Sequence, residues 1–73
     1  MNFEMGAPVI ADGKSGVYVE PRGSKHSILV IDEADEPALR RVSNVTLANA
    51  IIPNYDRLIN GLKIIQAVRR QTQ

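Results

Sequence analysis

The C-terminal third of the chain constrains the fold most, because it is the longest stretch with one clear periodicity. It reads PNYDRLINGLKIIQAVRR over residues 53–70. On a wheel of about 100° per residue, one narrow arc collects Ile51, Tyr55, Leu58, Leu62 and Ile65, with Leu47 and Ile59 at its edges. This is the spacing of a helix that buries one face. The sequence therefore predicts an amphipathic helix over residues 46–70, which bends at Pro53 if it begins before the proline.

A second, narrower apolar strip lies off the main arc of this predicted helix and contains Gly61, Ile64 and Val68. Glycine lowers helix propensity by roughly 1 kcal/mol relative to alanine, and it lets another backbone approach closely. Apolar groups outside the buried arc often mark interfaces. Two interpretations stay open, namely packing beneath the chain's own loops and contact with another molecule. We take these three residues as a candidate partner or self-association interface.

The first half of the chain predicts a small antiparallel sheet. Three short apolar segments separated by turn sequences fall at residues 8–11, 16–20 and 26–32. The second segment alternates between apolar and polar residues, as a half-buried strand does, and the third is apolar on both faces. Asp12-Gly13 between the first two is a tight-turn sequence. We therefore expect a three-stranded meander over residues 8–32, preceded by a loose lead-in at residues 1–7.

The region between the predicted sheet and the predicted helix contains acidic residues followed by a proline. Asp35 or Glu36 can cap a helix that has Pro37 in its first turn. This predicts a short helix over residues 36–43. Residues 44–52 fit either an early start of the long helix or an extended link. The expected fold is one α+β domain over residues 1–73, in which the C-terminal helix covers the three-stranded meander.

Charge is distributed unevenly along the chain. Residues 1–37 hold three basic and seven acidic side chains, a balance of −4, whereas residues 38–73 hold six basic and one acidic, a balance of +5. Such asymmetry can mark a nucleic-acid surface, with candidate contacts at Arg40, Arg41, Arg57, Lys63, Arg69 and Arg70. It can also mean that the two halves, or neighbouring subunits, attract each other. The second interpretation is favoured, since base stacking needs exposed aromatic rings and Tyr55 lies on the buried arc.

The sequence ILVIDEAD at residues 28–35 resembles the strand-then-DEAD motif of DEAD-box helicases, over eight residues of 73. In that family the first acidic pair holds magnesium and activates water beside ATP, so the resemblance implies those roles for Asp32 and Glu33. A phosphate-binding loop needs G-x-x-x-x-G-K-S/T. Residues 13–15 supply only its last letters, and Pro8 stands where the first glycine is required. The sequence therefore does not predict an NTPase.

No other group of residues indicates catalysis or a metal site. The chain has no cysteine and a single histidine, His26, which has no spaced ligand partners. The acidic residues Asp32, Glu33, Asp35 and Glu36 are expected to form a solvated turn or a docking site for a basic partner. We predict no cofactor and no enzymatic activity.

The sequence thus predicts a small protein–protein interaction protein, acting as a homo-oligomer or as an accessory, inhibitory or decorating subunit of a larger assembly. Nucleic-acid binding through the basic half is the alternative. The N-terminus has no signal-peptide pattern and no segment approaches the roughly 20 apolar residues of a membrane span. We therefore expect an intracellular or cytoplasmic protein with no membrane partner.

Overall fold

The computed structural model describes residues 3–71, which form a five-stranded antiparallel sheet and one C-terminal helix. The elements are β1 (Pro8–Ala11), β2 (Lys14–Arg22), β3 (Lys25–Ile31), β4 (Pro37–Val42), β5 (Thr46–Leu47) and α1 (Tyr55–Gln71). The strand order is β4-β3-β2-β1-β5. The predicted α+β class with a helix over an antiparallel sheet is confirmed, and β1, β2 and β3 form the predicted meander. The sheet has five strands in this part of the chain rather than three.

The sheet is curled, and chain length requires it. Three residues separate Val42 at the end of β4 from Thr46 at the start of β5, so this connection spans at most about 14 Å. In a flat sheet the outermost of five strands would lie about 19 Å apart. The edges must therefore approach each other. Val42 and Val45 pack against the apolar residues inside the curl.

Strand β4 replaces the short helix predicted over residues 36–43. Every residue of β4 pairs with β3, from Ile31↔Pro37 to His26↔Val42. The acidic residues before it form a reverse turn, because the Asp32 carboxylate accepts hydrogen bonds from the Ala34 and Glu36 amides at 2.9 and 3.0 Å. An aspartate that caps a turn and one that caps a helix use the same chemistry. Here the turn forms rather than the helix, because the following residues pair with the edge of β3.

The helix begins later than residue 46. Thr46 pairs with Ile10 as part of β5, and Pro53 precedes the helix, so the predicted kink does not occur. Asn54 has a φ of 61°, a left-handed conformation that interrupts any helix running through it. The Leu58 amide donates to the Asn54 carbonyl at 3.0 Å and closes the first turn. No helix within residues 3–71 has the length and apolar character needed to cross a membrane.

Part of the lead-in that was predicted to be loose over residues 1–7 is held in place, at Gly6 and Ala7. Gly6 donates its amide to the Tyr18 carbonyl at 2.8 Å, and Tyr18 donates to the Ala7 carbonyl at 2.9 Å. The Tyr55 hydroxyl donates to the Gly6 carbonyl at 2.9 Å. Backbone bonds and the helix therefore both fix this segment. Residues 1 and 2 lie outside the described residues.

Both faces of the central strands are buried. The face under α1 joins Val17, Val19, Leu29, Ile52, Leu58 and Leu62. The face inside the curl joins Val9, Ala11, Tyr18, Ile28 and Val30. Burial on both faces matches the unbroken apolar run of β3. Along the flank of α1 beside β4, exposed residues of the helix lie next to exposed residues of the sheet edge.

Candidate interaction surface

Gly61 sets how closely α1 lies on the sheet. A Cβ built on Gly61 would lie 3.1 Å from Leu29 Cδ2 and 3.2 Å from Pro37 Cβ. These distances are shorter than ordinary carbon–carbon contacts of about 3.5–4.0 Å. The groups that approach Gly61 are therefore side chains of the chain's own β3 and β4. Its role in a contact between molecules stays a prediction.

Three large aliphatic side chains remain exposed next to this close approach. Ile64 is 65% exposed, Val68 53% and Leu39 44%. Ile64 and Val68 follow Gly61 by three and seven residues, so they share its side of the helix, which faces β4. Leu39 pairs with Leu29, which places it on the sheet face that carries the helix. We call Leu39, Ile64 and Val68 the β4–α1 surface.

The outer edge of β4 is protected against addition of another strand. The Leu39 carbonyl accepts a hydrogen bond from the guanidinium of Arg40 at 3.0 Å. Pro37 has no N–H to offer an incoming strand. Charged side chains and proline are common ways to blunt a sheet edge. A partner on the β4–α1 surface would therefore meet side chains rather than extend the sheet.

A basic cluster lies at the C-terminal end of α1. Arg69 donates to both carboxylate oxygens of Glu20 at 3.0 and 2.9 Å, and Arg22 Nη1 lies 3.7 Å from the same carboxylate. A bulge in β2 sets Glu20 opposite Ser27, and Arg41 is opposite Ser27 on the other side. Arg22 and Arg69 thus flank the Glu20 carboxylate, and Arg41 lies on the same face of the sheet beyond Ser27.

An acidic turn lies at the opposite end of α1 and contains the four predicted residues Asp32, Glu33, Asp35 and Glu36. Arg57 in the first turn of the helix donates to Asp35 Oδ1 at 3.0 Å and also to the Asp35 carbonyl. Glu33 and Glu36 are exposed. The turn is therefore clamped to the helix through one aspartate while two glutamates face solvent. Its role as a docking site stays a prediction.

The predicted nucleic-acid contacts do not all share one surface. Arg57 is bound to Asp35 at the acidic end, and Arg69 is bound to Glu20 at the basic end. Lys63 and Arg70 lie on the side of α1 away from β4, as the helical period requires. Only part of the set comes together, in a depression that is lined by Glu20, Arg22, Ser27, Leu39, Arg40, Arg41 and Arg69.

His26 belongs to an aromatic group inside the curl. The Tyr18 hydroxyl lies 2.9 Å from His26 Nδ1, and the Phe3 ring centroid lies 5.1 Å from that of Tyr18. Tyr18 is only 3% exposed, so the histidine satisfies a hydroxyl that would otherwise be unpaired. Among residues 3–71, no three side chains of the metal-binding types come together.

A second apolar surface was not predicted from the sequence. Leu47 is 53% exposed and Ile51 is 92% exposed. Ile51 lines a depression together with Pro8, Ala48, Asn49, Ala50 and Tyr55, none of which is charged. The prediction that Ile51 lies on the buried arc, with Leu47 at its edge, is wrong, because both residues precede α1, which begins at Tyr55. We call Leu47 and Ile51, on and just after β5, the β5 surface.

Comparisons with known proteins found no match for this chain among protein-family models, curated proteins or solved structures. The function proposed for it rests on its own geometry.

Proposed function

We propose that this chain is a non-enzymatic protein–protein interaction module that acts by self-association or as an accessory subunit of a larger assembly. The β4–α1 surface makes the contact. The observation that supports this is the exposure of Leu39, Ile64 and Val68, at 44%, 65% and 53%, on neighbouring regular elements. Adjacent exposed aliphatic side chains are typical of interaction sites. The small size of the chain adds support, since a domain of this length buries only about 60% of its unfolded surface.

The β4–α1 surface is favoured over the β5 surface for two reasons. Leu39, Ile64 and Val68 lie within a paired strand and a long helix, which hold side chains in fixed positions and lower the entropy lost on binding. Charged groups of opposite sign also flank them, with the acidic turn at one end and the basic cluster at the other. Charges around an apolar centre fix the orientation in which a partner binds.

The test is a double substitution of Ile64→Glu and Val68→Glu. We expect it to abolish the assembly, measured as mass by light scattering on a sizing column, while helical circular dichroism is unchanged. The matched control is Leu47→Glu with Ile51→Glu, which makes the same change at exposed aliphatic residues of the β5 surface. The control should assemble like the unmodified chain.

Three results would contradict the proposal. If helical circular dichroism is lost in the Ile64 and Val68 variant, these side chains belong to the core. If only the control variant dissociates, the contact lies on the β5 surface. The third result combines two observations. If the unmodified chain does not self-associate, and if in pull-downs it retains no protein that the Ile64 and Val68 variant loses, the β4–α1 surface has no partner.

A second candidate function is nucleic-acid binding, supported by the depression that Arg22, Arg40, Arg41 and Arg69 line with Glu20 as its only acidic residue. Phosphate contacts release counterions, so affinity should fall steeply with salt. Fluorescence anisotropy with a labelled oligonucleotide measures this slope. Absence of binding at low salt, or binding that ignores salt, counts against it.

A further inference from the structure

We propose that the partner on the β4–α1 surface is a second copy of this chain, placed so that the two α1 helices run antiparallel. This inference rests on the proposed function and specifies its partner. It follows from the order of charged and apolar groups along α1 and β4.

The two ends of the β4–α1 surface carry opposite net charges. At the acidic end, the four carboxylates of the turn and the guanidinium of Arg57, which binds Asp35, give a net charge of −3. At the basic end, Arg22, Arg41 and Arg69 with the carboxylate of Glu20 give a net charge of +2. Arg40 is not counted, because it pairs with Ile28 and so belongs to the other face of the sheet. Glu33 and Glu36 at one end, and Arg41 at the other, have no side-chain ion pair within residues 3–71.

The apolar residues lie between these two ends. Strand β4 starts directly after the acidic turn and passes Leu39 before it reaches Arg41. Helix α1 starts beside the same turn through Arg57 and ends beside Glu20 through Arg69. The surface therefore reads acidic, apolar, basic along one direction.

If a two-fold axis perpendicular to α1 relates two copies, the acidic, apolar, basic order of one copy lies against the reversed order of the other. Such an axis reverses the direction of the second helix, so the apolar centre meets the apolar centre. Each acidic turn then faces the basic end of the other copy, and the pairing occurs twice. A parallel arrangement would set −3 against −3 and +2 against +2, and like charges placed together are costly. Self-complementary contacts of this kind are the rule in two-fold dimers.

An interface large enough to be stable must also include the two charged ends of the β4–α1 surface. Specific interfaces bury about 800 Å² on each partner, and the chain exposes 5176 Å² in total. Three aliphatic side chains alone do not supply that area. An antiparallel contact along α1 adds both ends, and the protected edge of β4 keeps the second copy from extending the sheet instead.

The test reverses the charge at each end and then mixes the variants. One variant carries Glu33→Arg and Glu36→Arg, and the other carries Arg22→Glu and Arg41→Glu. Alone, each variant sets like charges against each other at both ends of its dimer. We therefore expect the dissociation constant of its dimer to rise at least about tenfold. Mixed in equal amounts, they should form a heterodimer, because every facing pair is then opposite in charge.

The matched control is Lys63→Glu with Arg70→Glu, which reverses two charges on the side of α1 away from β4 and should leave the dimer intact. Light scattering should give twice the 8.0 kDa chain mass for the unmodified chain, the mixture and the control. Circular dichroism of each variant shows that it is folded.

The outcomes separate this inference from the proposed function. If the Ile64 and Val68 variant dissociates but the charge reversals do not, the apolar contact stands and the antiparallel arrangement is wrong. A monomeric unmodified chain, or a mass well above the dimer, refutes the two-fold pair. If neither the apolar nor the charge variants change the assembly, both proposals fail.

Discussion

Replacement of Gly61 with alanine tests whether the chain's own β4 occupies the space beside this glycine. Two effects oppose each other. Alanine in place of glycine within a helix stabilises it by about 1 kcal/mol. Against this, the new Cβ would lie 3.1 Å from Leu29 Cδ2 and 3.2 Å from Pro37 Cβ, and an overpacked site costs about 1–3 kcal/mol.

The crowding should outweigh the gain in helix propensity. Leu29 is only 2% exposed, so its methyl group has little room to move, whereas Pro37 on the edge strand can shift by a few tenths of an ångström. We expect Gly61→Ala to lower the free energy of unfolding by about 1 kcal/mol. For a domain of this size that corresponds to a fall in Tm of about 4–8 °C.

The measurement is urea denaturation followed by helical circular dichroism, at one fixed protein concentration because assembly adds to stability. Ala67→Gly is the matched control, since Ala67 is exposed on the same helix and the change isolates the propensity effect of about 1 kcal/mol. If Gly61→Ala stabilises the chain by as much as Ala67→Gly destabilises it, the close approach of β4 is refuted.

Three further substitutions test the fold that holds the surface in place. Gly16→Ala should cost about 3 kcal/mol or more in denaturation, because its Cβ would lie 2.5 Å from the Leu29 carbonyl oxygen; a near-neutral result would contradict the β2–β3 packing. Leu58→Ala should cost about 3 kcal/mol, since Leu58 is 0% exposed, and a loss under 1 kcal/mol would argue against that burial. Tyr55→Phe should cost about 1 kcal/mol and speed hydrogen exchange of the Gly6 amide, whereas unchanged exchange would mean that the 2.9 Å bond to Gly6 does not hold that segment.

The parts of the fold that sequence could predict are those fixed by neighbours in the chain. Asp12 and Gly13 have φ values of 53° and 76°, which their turn chemistry indicates. The alternation of β2 and the apolar run of β3 identify those strands. The arc of Leu58, Leu62 and Ile65 identifies the buried face of α1.

Strands β4 and β5 could not be predicted in this way, because distant pairing forms them. The sequence of β4 reads PALRRV, which lacks a clean apolar alternation, and the edge of β3 decides its conformation. Strand β5 has two residues, too few for any period. Asp35 with a φ of 62° belongs to the turn that sequence interpreted as a helix cap.

The residues of the β4–α1 surface also differ in whether local sequence could predict them. Ile64 and Val68 follow from the helical period, which needs no knowledge of the rest of the fold. Leu39 does not, because it falls within the helix predicted over residues 36–43 and instead lies in an edge strand. The contact of Gly61 with Pro37 likewise depends on where β4 runs, so local sequence could not separate a packing glycine from an interface glycine.

The most direct test of the account is a dilution series of the isotopically labelled chain, followed by amide chemical shifts in nuclear magnetic resonance spectra. We expect concentration-dependent shifts grouped at Leu39, along Gly61 to Val68, and at both charged ends, with little change at Ile51. Shifts centred on Leu47 and Ile51 would move the contact to the β5 surface. Spectra that do not change with concentration would contradict self-association through the β4–α1 surface.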